Sequence, residues 1–259
     1  MIDTHSHIYS EEFDDDRQDA LARAKAAGVE LLILPDIDST SRERMLTLAA
    51  EHPDLCRAMV GLHPTSVNDN PRWRDEVDMV ERMLSNPSQP LCGVGEIGLD
   101  LYWSTEYYRE QREALHAQLQ LALRYDLPVV IHTRSAYKEM LDAVATYRGR
   151  GLRGVFHAYA DSVDTAHKIV RLGDFMFGIG GVVTFKNSGL DRVVAELPTE
   201  LLLLETDCPY LTPVPHRGKR NESAYVEHVC RKVAELHNTS FDHVDKLTTA
   251  SAKELFSIV

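Results

Sequence analysis

A chain of 259 residues, 44% hydrophobic and 26% charged, carries enough apolar side chains to fold, and its composition excludes a collagen-like or low-complexity protein. Its 40 acidic and 28 basic residues give a net charge of −12, which repels polyanions and anionic membranes at long range and does not fit a basic coat protein. A nucleic-acid substrate therefore has to be held by a local positive surface, which can act because salt screens charges over about 8 Å.

Short apolar segments alternate along the chain with longer amphipathic ones. The apolar segments are typical of strands and begin at Met1, Leu31, Ala58, Leu91, Leu127, Leu152, Asp174 and Leu201. Helices are predicted over 14–27, 40–51, 72–84, 105–125, 136–147, 162–172 and 190–197, with two more after residue 221. Strands that are apolar on both faces and alternate with helices predict parallel pairing under a cover of helices.

This alternation predicts an α/β fold, and about eight units in roughly 250 residues favour a closed (β/α)₈ barrel of the TIM type. The alternative is an open doubly wound sheet, which usually carries a glycine-rich phosphate-binding turn after its first strand. His5, Ser6 and His7 occupy that position here. Because no Pro/Gly/Ser-rich linker or change in composition divides the chain, residues 1–259 are predicted to form a single domain.

The cysteines and the first residues bear on the cellular compartment. Cys56, Cys92, Cys208 and Cys230 are far apart and form no C-x-x-C pair, so neither a zinc ribbon nor the disulfide framework of a small secreted protein fits. The chain opens without the basic and apolar regions of a signal peptide, and no segment approaches 18 apolar residues. We expect a cytoplasmic protein that does not enter the membrane.

Histidines concentrate where a barrel has its active site. Five of the twelve lie at or just past the predicted carboxyl ends of strands, namely His5, His7, His63, His132 and His157. Glu96 follows the predicted fourth strand, and Asp207 follows the eighth. These groups should meet at the barrel mouth, where imidazoles with carboxylates suit Zn, Mn, Fe or Co. A carboxylate that can bridge suggests two ions about 3.5 to 4 Å apart.

The motifs around these residues resemble, in order, those of the TatD-type metal-dependent deoxyribonuclease family, within the amidohydrolase-like metallo-barrels. They are DTHSH from Asp3, GLHP from Gly61, GEIGLD from Gly95, PVVIHTR from Pro128, GVFHAY from Gly154, GGVVTFKN from Gly180, LLLETDCPYL from Leu202 and HRGKRNE from His216. No single motif is decisive, but their joint order is highly specific and covers the chain essentially from end to end.

The resemblance implies two divalent ions, Zn, Mg or Mn, that share Glu96 as a bridging ligand. The implied ligands of the first ion are His5, His7, Glu96 and Asp207. Those of the second are Glu96, His132 and His157. The resemblance also implies in-line attack on a phosphodiester by a hydroxide that bridges the ions, with Glu96 and Asp207 as the catalytic carboxylates and Asp207 as the general base.

The chain departs from the family pattern in two places. Ala160 and Asp161 stand where many members have a hydroxyl residue and a glycine, which removes a small polar site and adds a negative charge. Ser223 stands where a proline often follows the Asn-Glu pair. Neither change touches the six implied ligands, so both bear on substrate preference.

Basic residues gather in the predicted loops at the carboxyl ends of the strands: Arg134, Lys186, Arg217, Lys219 and Arg220. We predict that they bind substrate phosphates, because arginine pairs with phosphate oxygens bidentately and lysine serves as a point charge. A solvated charged loop is the alternative for residues 217–220. His63, which precedes Pro64, is predicted to orient the substrate. Tyr102 and Trp103 either offer a base a stacking face or plug the barrel.

The leading hypothesis for function is a metal-dependent nuclease that cleaves DNA from an end, because a barrel mouth admits a terminus more readily than a continuous duplex. DNA is then a transient partner, and no obligate protein partner is evident. The alternative within enzymes is hydrolysis of an ester, amide or lactone, including deacylation of aminoacyl-tRNA. A non-catalytic metal-binding or nucleic-acid-binding protein is disfavoured, because such a chain should have lost at least one of the six residues.

Overall fold

The computed structural model describes residues 1–258 and contains one eight-stranded parallel sheet with the strands in chain order. The strands are β1 (Ile2–Asp3), β2 (Leu31–Leu34), β3 (Cys56–Val60), β4 (Leu91–Asp100), β5 (Val129–Arg134), β6 (Gly154–Phe156), β7 (Phe175–Ile179) and β8 (Leu202–Leu204). The strand order and parallel pairing confirm the predicted (β/α)₈ barrel and exclude the open doubly wound sheet, in which the strand order reverses.

Helices alternate with the strands and surround the sheet. They are α1 (Arg17–Ala26), α2 (Ser39–Glu51), α3 (Trp73–Ser85), α4 (Tyr108–Arg124), α5 (Tyr137–Ala145), α6 (Val163–Val170), α7 (Leu190–Glu196), α8 (Val226–Leu236) and α9 (Phe241–Phe256). Within residues 1–258, no helix combines the length and the apolar character needed to cross a bilayer.

The two faces of the strands pack into two different layers. In β2, Leu31 and Ile33 belong to an apolar cluster that includes Leu255 and Phe256 of α9. Leu32 belongs to the larger cluster between the sheet and the surrounding helices. Because successive side chains on a strand point to opposite faces, a run such as LLIL fills the barrel interior and the outer layer at once.

Backbone hydrogen bonds bring β8 back to the segment that follows β1. Thr4 N donates to Leu204 O at 3.0 Å, and His7 N donates to Cys208 O at 3.0 Å. Ser6 forms a parallel bridge with Cys208 between these bonds. The barrel is thus nearly closed, and the residues after β1 and β8 lie side by side at its carboxyl end.

Strands β4 and β5 differ from the sequence prediction because they run further towards the barrel mouth. Glu96, which the sequence places after a strand, lies within β4, and Gly98 and Asp100 pair with His132 and Arg134 of β5. A Cβ atom on Gly98 would overlap the carbonyl oxygen of His132. Glycine therefore permits the close approach that extends the pairing and sets His132 opposite Gly98. Glu96 lies just before this regular stretch, where the register of β4 and β5 shifts between Val94 and Ile97.

Candidate metal centre

Glu96 lies at the centre of a cluster of imidazole and carboxylate groups. Its Oε2 atom is 3.1 Å from His5 Nε2 and 3.7 Å from His7 Nε2. Its Oε1 atom is 2.8 Å from His132 Nδ1 and 3.0 Å from His157 Nε2. The two oxygens of one buried carboxylate therefore face two separate pairs of imidazoles, which is the arrangement that the predicted bridging role requires.

Asp207 completes the side of the cluster that holds His5 and His7. Its Oδ1 atom is 3.5 Å from His7 Nε2 and 3.8 Å from His5 Nε2. The backbone holds it there, because Asp207 N donates to His5 O at 2.9 Å. Its φ of 56° lies in the left-handed region, which non-glycine residues adopt at a cost and which is often found at functional sites. The structure thus brings all six predicted ligands together.

Two carboxylates that the sequence analysis missed support the outer nitrogens of the imidazoles. Asp100 Oδ2 is 3.0 Å from His132 Nε2, and Glu205 Oε1 is 3.2 Å from His157 Nδ1. Such hydrogen bonds fix the tautomer and ring orientation of a histidine ligand. A sequence signal was available: Glu205 lies two residues before Asp207, and Asp100 lies four residues after Glu96 in the same strand, spacings that put the side chains on one face.

Tyr9 supports His7 in the same way, and it too was missed. The hydroxyl of Tyr9 donates to Pro35 O at 2.6 Å and lies 2.8 Å from His7 Nδ1. With its proton committed to the carbonyl, the hydroxyl oxygen accepts from Nδ1–H of His7. This tautomer leaves the lone pair of His7 Nε2 directed at Glu96 and Asp207.

The charges of the cluster are coupled. Burial alone would raise the pKa of the Glu96 carboxyl, but the imidazoles of His157, His5 and His63 hold it well below its usual range. Burial opposes protonation of His157, yet the carboxylates of Glu96 and Glu205 raise its pKa well above the ordinary value. The Glu96 carboxyl is therefore ionised at neutral pH, the form in which a carboxylate binds a metal ion.

The donor set fits divalent cations. Three groups of side chains each bring three possible ligand atoms within 4.8 Å of one another: His5, His7 and Glu96; His63, Glu96 and His132; and His5, His157 and Glu205. The Nε2 atoms of His5 and His7 lie only 3.2 Å apart, a separation that suits two lone pairs aimed at a common cation. Mixed nitrogen and carboxylate donors of this kind suit Zn, Mn or Fe.

His63 lies closer to the donor atoms than its predicted role in orienting substrate requires. Its Nε2 atom is 3.4 Å from Glu96 Oε1, and its ring centre is 4.5 Å from that of His132. Its Nδ1 is 2.6 Å from the hydroxyl of Thr65, which holds the ring in place. The geometry therefore allows His63 to be a ligand as well as a substrate contact.

The predicted phosphate-binding residues lie outside the donor cluster. Arg134, Lys186, Arg217 and Lys219 are exposed. Lys186 and Arg217 line one surface pocket of about 570 Å³, where the Arg217 guanidinium lies 3.9 Å above the Phe185 ring. Arg134 ends β5, Lys186 follows β7, and Arg217 and Lys219 follow β8, so these cations lie at the carboxyl end of the barrel. Their role as phosphate contacts stays a prediction.

Arg220 lies in a different environment from the other cations. Its Nη1 and Nη2 atoms donate to the two carboxylate oxygens of Asp16 at 2.7 and 2.8 Å, and its guanidinium lies 4.1 Å above the Phe13 ring. A phosphate would have to compete with Asp16 for this side chain. The contacts give Arg220 a structural role, in which it fastens the loop after β8 to the segment before α1.

The two departures from the family motifs have local explanations. Ser223 is buried, and its hydroxyl is 2.9 Å from that of Ser6, which lies between His5 and His7. It supports the ligand-bearing segment after β1. Asp161 accepts a hydrogen bond from Ser162 N at 2.7 Å just before α6, so its carboxylate is engaged at the start of that helix.

Comparison with known proteins agrees with this geometry. Residues 2–257 match the family described as TatD related DNase. The chain is 34% identical to the metal-dependent hydrolase YabD of Bacillus subtilis, over all of this chain and 99% of that one. It is 29% identical to a protein of Pectobacterium carotovorum named 3′-5′ ssDNA/RNA exonuclease TatD, over the full length of both.

A solved structure shows the same fold. The crystal structure of YjjV, a TatD homologue from Escherichia coli K12, matches with a TM-score of 0.93 at 30% identity, over all of this chain and 98% of that one. The family match, the shared barrel and the cluster of histidine and carboxylate donors agree with one another. The chain belongs to the TatD family of metal-dependent hydrolases.

Proposed function

We propose that the chain is a nuclease that removes nucleotides from an end of single-stranded DNA, with two divalent ions bound around Glu96. The observation that carries the proposal is that exposed Arg134, Lys186 and Arg217 lie at the same end of the barrel as the buried donor cluster, on a chain of net charge −12. Exposed cations at one end of an acidic protein suit phosphate oxygens. The name of the Pectobacterium relative supports a single strand attacked from its end.

Divalent ions held here would supply an activated water and neutralise charge on the phosphate. His5, His7, Glu96 and Asp207 would hold one ion, and Glu96, His132 and His157 would hold the other. The tautomer of His7 fixed by Tyr9, and the ring positions of His132 and His157 fixed by Asp100 and Glu205, keep the donor nitrogens directed inward.

Asp207 is the proposed proton acceptor. Burial alone would raise the pKa of its carboxyl, but the imidazoles of His7, His157 and His5 lower it, so the group is ionised at neutral pH. Its side chain retains 15% exposure, more than that of Glu96, and it can therefore reach a water at the mouth. Arg134, Lys186, Arg217 and Lys219 are proposed to hold the phosphates that do not react.

A second candidate is hydrolysis of an ester, amide or lactone, including aminoacyl-tRNA, because an activated water can also attack carbon. The exposed cations around the mouth favour phosphate over a neutral substrate. We also propose that the enzyme acts in the cytoplasm without an obligate protein partner. Its four cysteines are free and buried, as in proteins of reducing compartments.

The test is reconstitution of metal-free protein with Zn, Mg or Mn, each assayed on single-stranded DNA labelled at the 5′ or the 3′ end. An exonuclease releases mononucleotides and gives different product ladders for the two labels, which also reveals the direction of cleavage. RNA of the same sequence and a panel of esters and lactones are assayed in parallel. Rapid ester hydrolysis without nucleotide release would replace the nuclease proposal with the second candidate.

A further inference from the structure

Two aromatic side chains follow β4 and are exposed at the carboxyl end of the barrel. Tyr102 is 57% exposed and Trp103 is 68% exposed, and their ring centres lie 5.0 Å apart in an edge-to-face arrangement. The guanidinium of Arg134 lies 3.7 Å above the Tyr102 ring and 5.3 Å from the Trp103 ring. We call these three residues the aromatic platform.

The exposure of the platform excludes the expectation that these rings plug the barrel. A ring that plugs the barrel would be buried. Trp73 shows what burial looks like in this chain, since it is 6% exposed and packs in an apolar cluster with Ala114 of α4. Trp103 and Tyr102 instead present ring surface to solvent. Folding gains little from apolar groups left in this position, so a ligand is the better explanation for their presence.

Short hydrogen-bonded steps connect the platform to the donor cluster. Tyr102 N donates to Asp100 Oδ1 at 3.0 Å, and the other oxygen of Asp100 is 3.0 Å from His132 Nε2. Leu101 N donates to Arg134 O at 3.0 Å, which ties the start of the loop to the end of β5. The platform is therefore attached to the same two strands that carry Glu96 and His132.

We infer that the aromatic platform binds an unpaired nucleobase of the substrate strand, next to the phosphate that lies at the donor cluster. The inference rests on the proposed function and adds the group that grips the strand through its bases. Exposed aromatic faces beside a guanidinium suit a nucleobase, because bases stack on aromatic rings and on arginine. A base in a duplex is already stacked, so the platform favours a single strand.

Binding to the platform can be measured with the metal-loaded protein and a short oligonucleotide whose phosphorothioate linkages slow hydrolysis. The chain has two tryptophans, and Trp73 is buried, so quenching of tryptophan fluorescence by the oligonucleotide reports on Trp103. A second oligonucleotide of equal length with abasic residues keeps every phosphate and removes the bases. We expect quenching and tighter binding only with the base-bearing strand.

Trp103→Ala and Trp103→Phe lack the reporting tryptophan, so their binding is compared with that of the wild type by fluorescence anisotropy of a dye-labelled oligonucleotide. Trp103→Ala should weaken binding of the base-bearing oligonucleotide by about 5- to 100-fold, the range that loss of one base–aromatic stack gives. Affinity for the abasic strand should stay unchanged. Trp103→Phe should restore most of the loss, which a merely structural role would not predict. Val170→Ala is a matched control, because Val170 is also exposed but ends α6, which leads to the opposite end of the barrel.

With hydrolysable DNA, Trp103→Ala should raise KM by a similar factor and change kcat little, because the donor cluster is intact. Equal binding of base-bearing and abasic strands by the wild-type protein, or equal KM in the wild type and Trp103→Ala, would overturn the platform. Base-dependent quenching without nucleotide release would retain the platform and reject the nuclease. Nucleotide release without base-dependent binding would do the reverse.

Discussion

The two ends of the barrel interior are built from the same strand faces but have opposite chemistry. Val130 in β5 belongs to the inner apolar cluster, and His132, two residues later, faces Glu96. Val155 and His157 repeat this pattern along β6 and the residue after it. Because residues i and i+2 share a face, one step along each strand changes the interior from an apolar core to a donor cluster.

This difference separates stability from chemistry. At the amino end the C-terminal turn of α9 packs Leu255 and Phe256 against the strands, and burial of apolar surface stabilises the fold. At the carboxyl end, the buried atoms His5 Nδ1 and Glu205 Oε2 have no hydrogen-bond partner among the described residues. Burying unpaired polar atoms is costly. The polar groups at the carboxyl end of the barrel therefore lower the free energy of unfolding, and their place in the fold is explained by ligand binding.

The strongest test of the donor cluster is Glu96→Ala. Glu96 faces both pairs of imidazoles, so its loss should weaken binding of both ions together and reduce hydrolysis to the background. Elemental analysis after gel filtration measures the metal content. Surface variant Glu235→Ala is the control and should keep full metal content. Two ions per chain in Glu96→Ala would rule out the bridging role.

Asp207→Asn should cost less than Glu96→Ala while keeping the fold, because asparagine is nearly isosteric with aspartate. Loss of a general base lowers turnover by about 10²- to 10⁴-fold. The measurement is kcat at saturating metal, with circular dichroism to check the fold. A kcat within a factor of a few of the wild-type value would mean that another group accepts the proton.

The sequence was sufficient to predict the barrel because its two main signals are local. Runs such as LLIL and the amphipathic segments between them identify strands and helices without knowledge of contacts. The six predicted metal ligands meet because the carboxyl ends of parallel strands lie at one rim of the barrel, so the predicted fold is enough to place His5 near Glu96. Side-chain directions on a strand follow from counting residues.

The supporting residues were harder to predict because their roles depend on pairs of atoms. Tyr9 reaches His7 only through the turn after β1 and is fixed by Pro35, and no residue pattern indicates that contact. Arg220 resembles its neighbours in the basic loop, yet Asp16, distant in sequence, binds it. An ion pair between distant loops depends on how the folded chain places those loops, and the hydrophobic periodicity of the sequence gives no information about that placement.

The amino end of the barrel is tested by Phe256→Ala. Phe256 is buried against the inner apolar cluster, and its truncation leaves a cavity, so the free energy of unfolding should fall by about 3 to 5 kcal/mol. Activity per bound metal should stay unchanged at temperatures where the protein is folded. Urea denaturation and metal-normalised kcat give the two quantities. A large loss of kcat in the folded variant would contradict the separation of stability from chemistry.

The smallest expected effects distinguish two cations of the loop after β8. Arg217 stacks on Phe185 and carries the predicted phosphate contact, so Arg217→Gln should flatten the log-log salt dependence of oligonucleotide binding by about 0.7 and raise KM. Arg220 is held by Asp16, so Arg220→Gln should leave that slope unchanged and lower the free energy of unfolding by up to about 1 kcal/mol, the range for partly exposed ion pairs. Binding measured from low to high salt, with urea denaturation of both variants, separates the roles. If Arg220→Gln flattens the slope as much as Arg217→Gln does, then Arg220 leaves Asp16 when the strand binds, and both arginines of the loop contact phosphates.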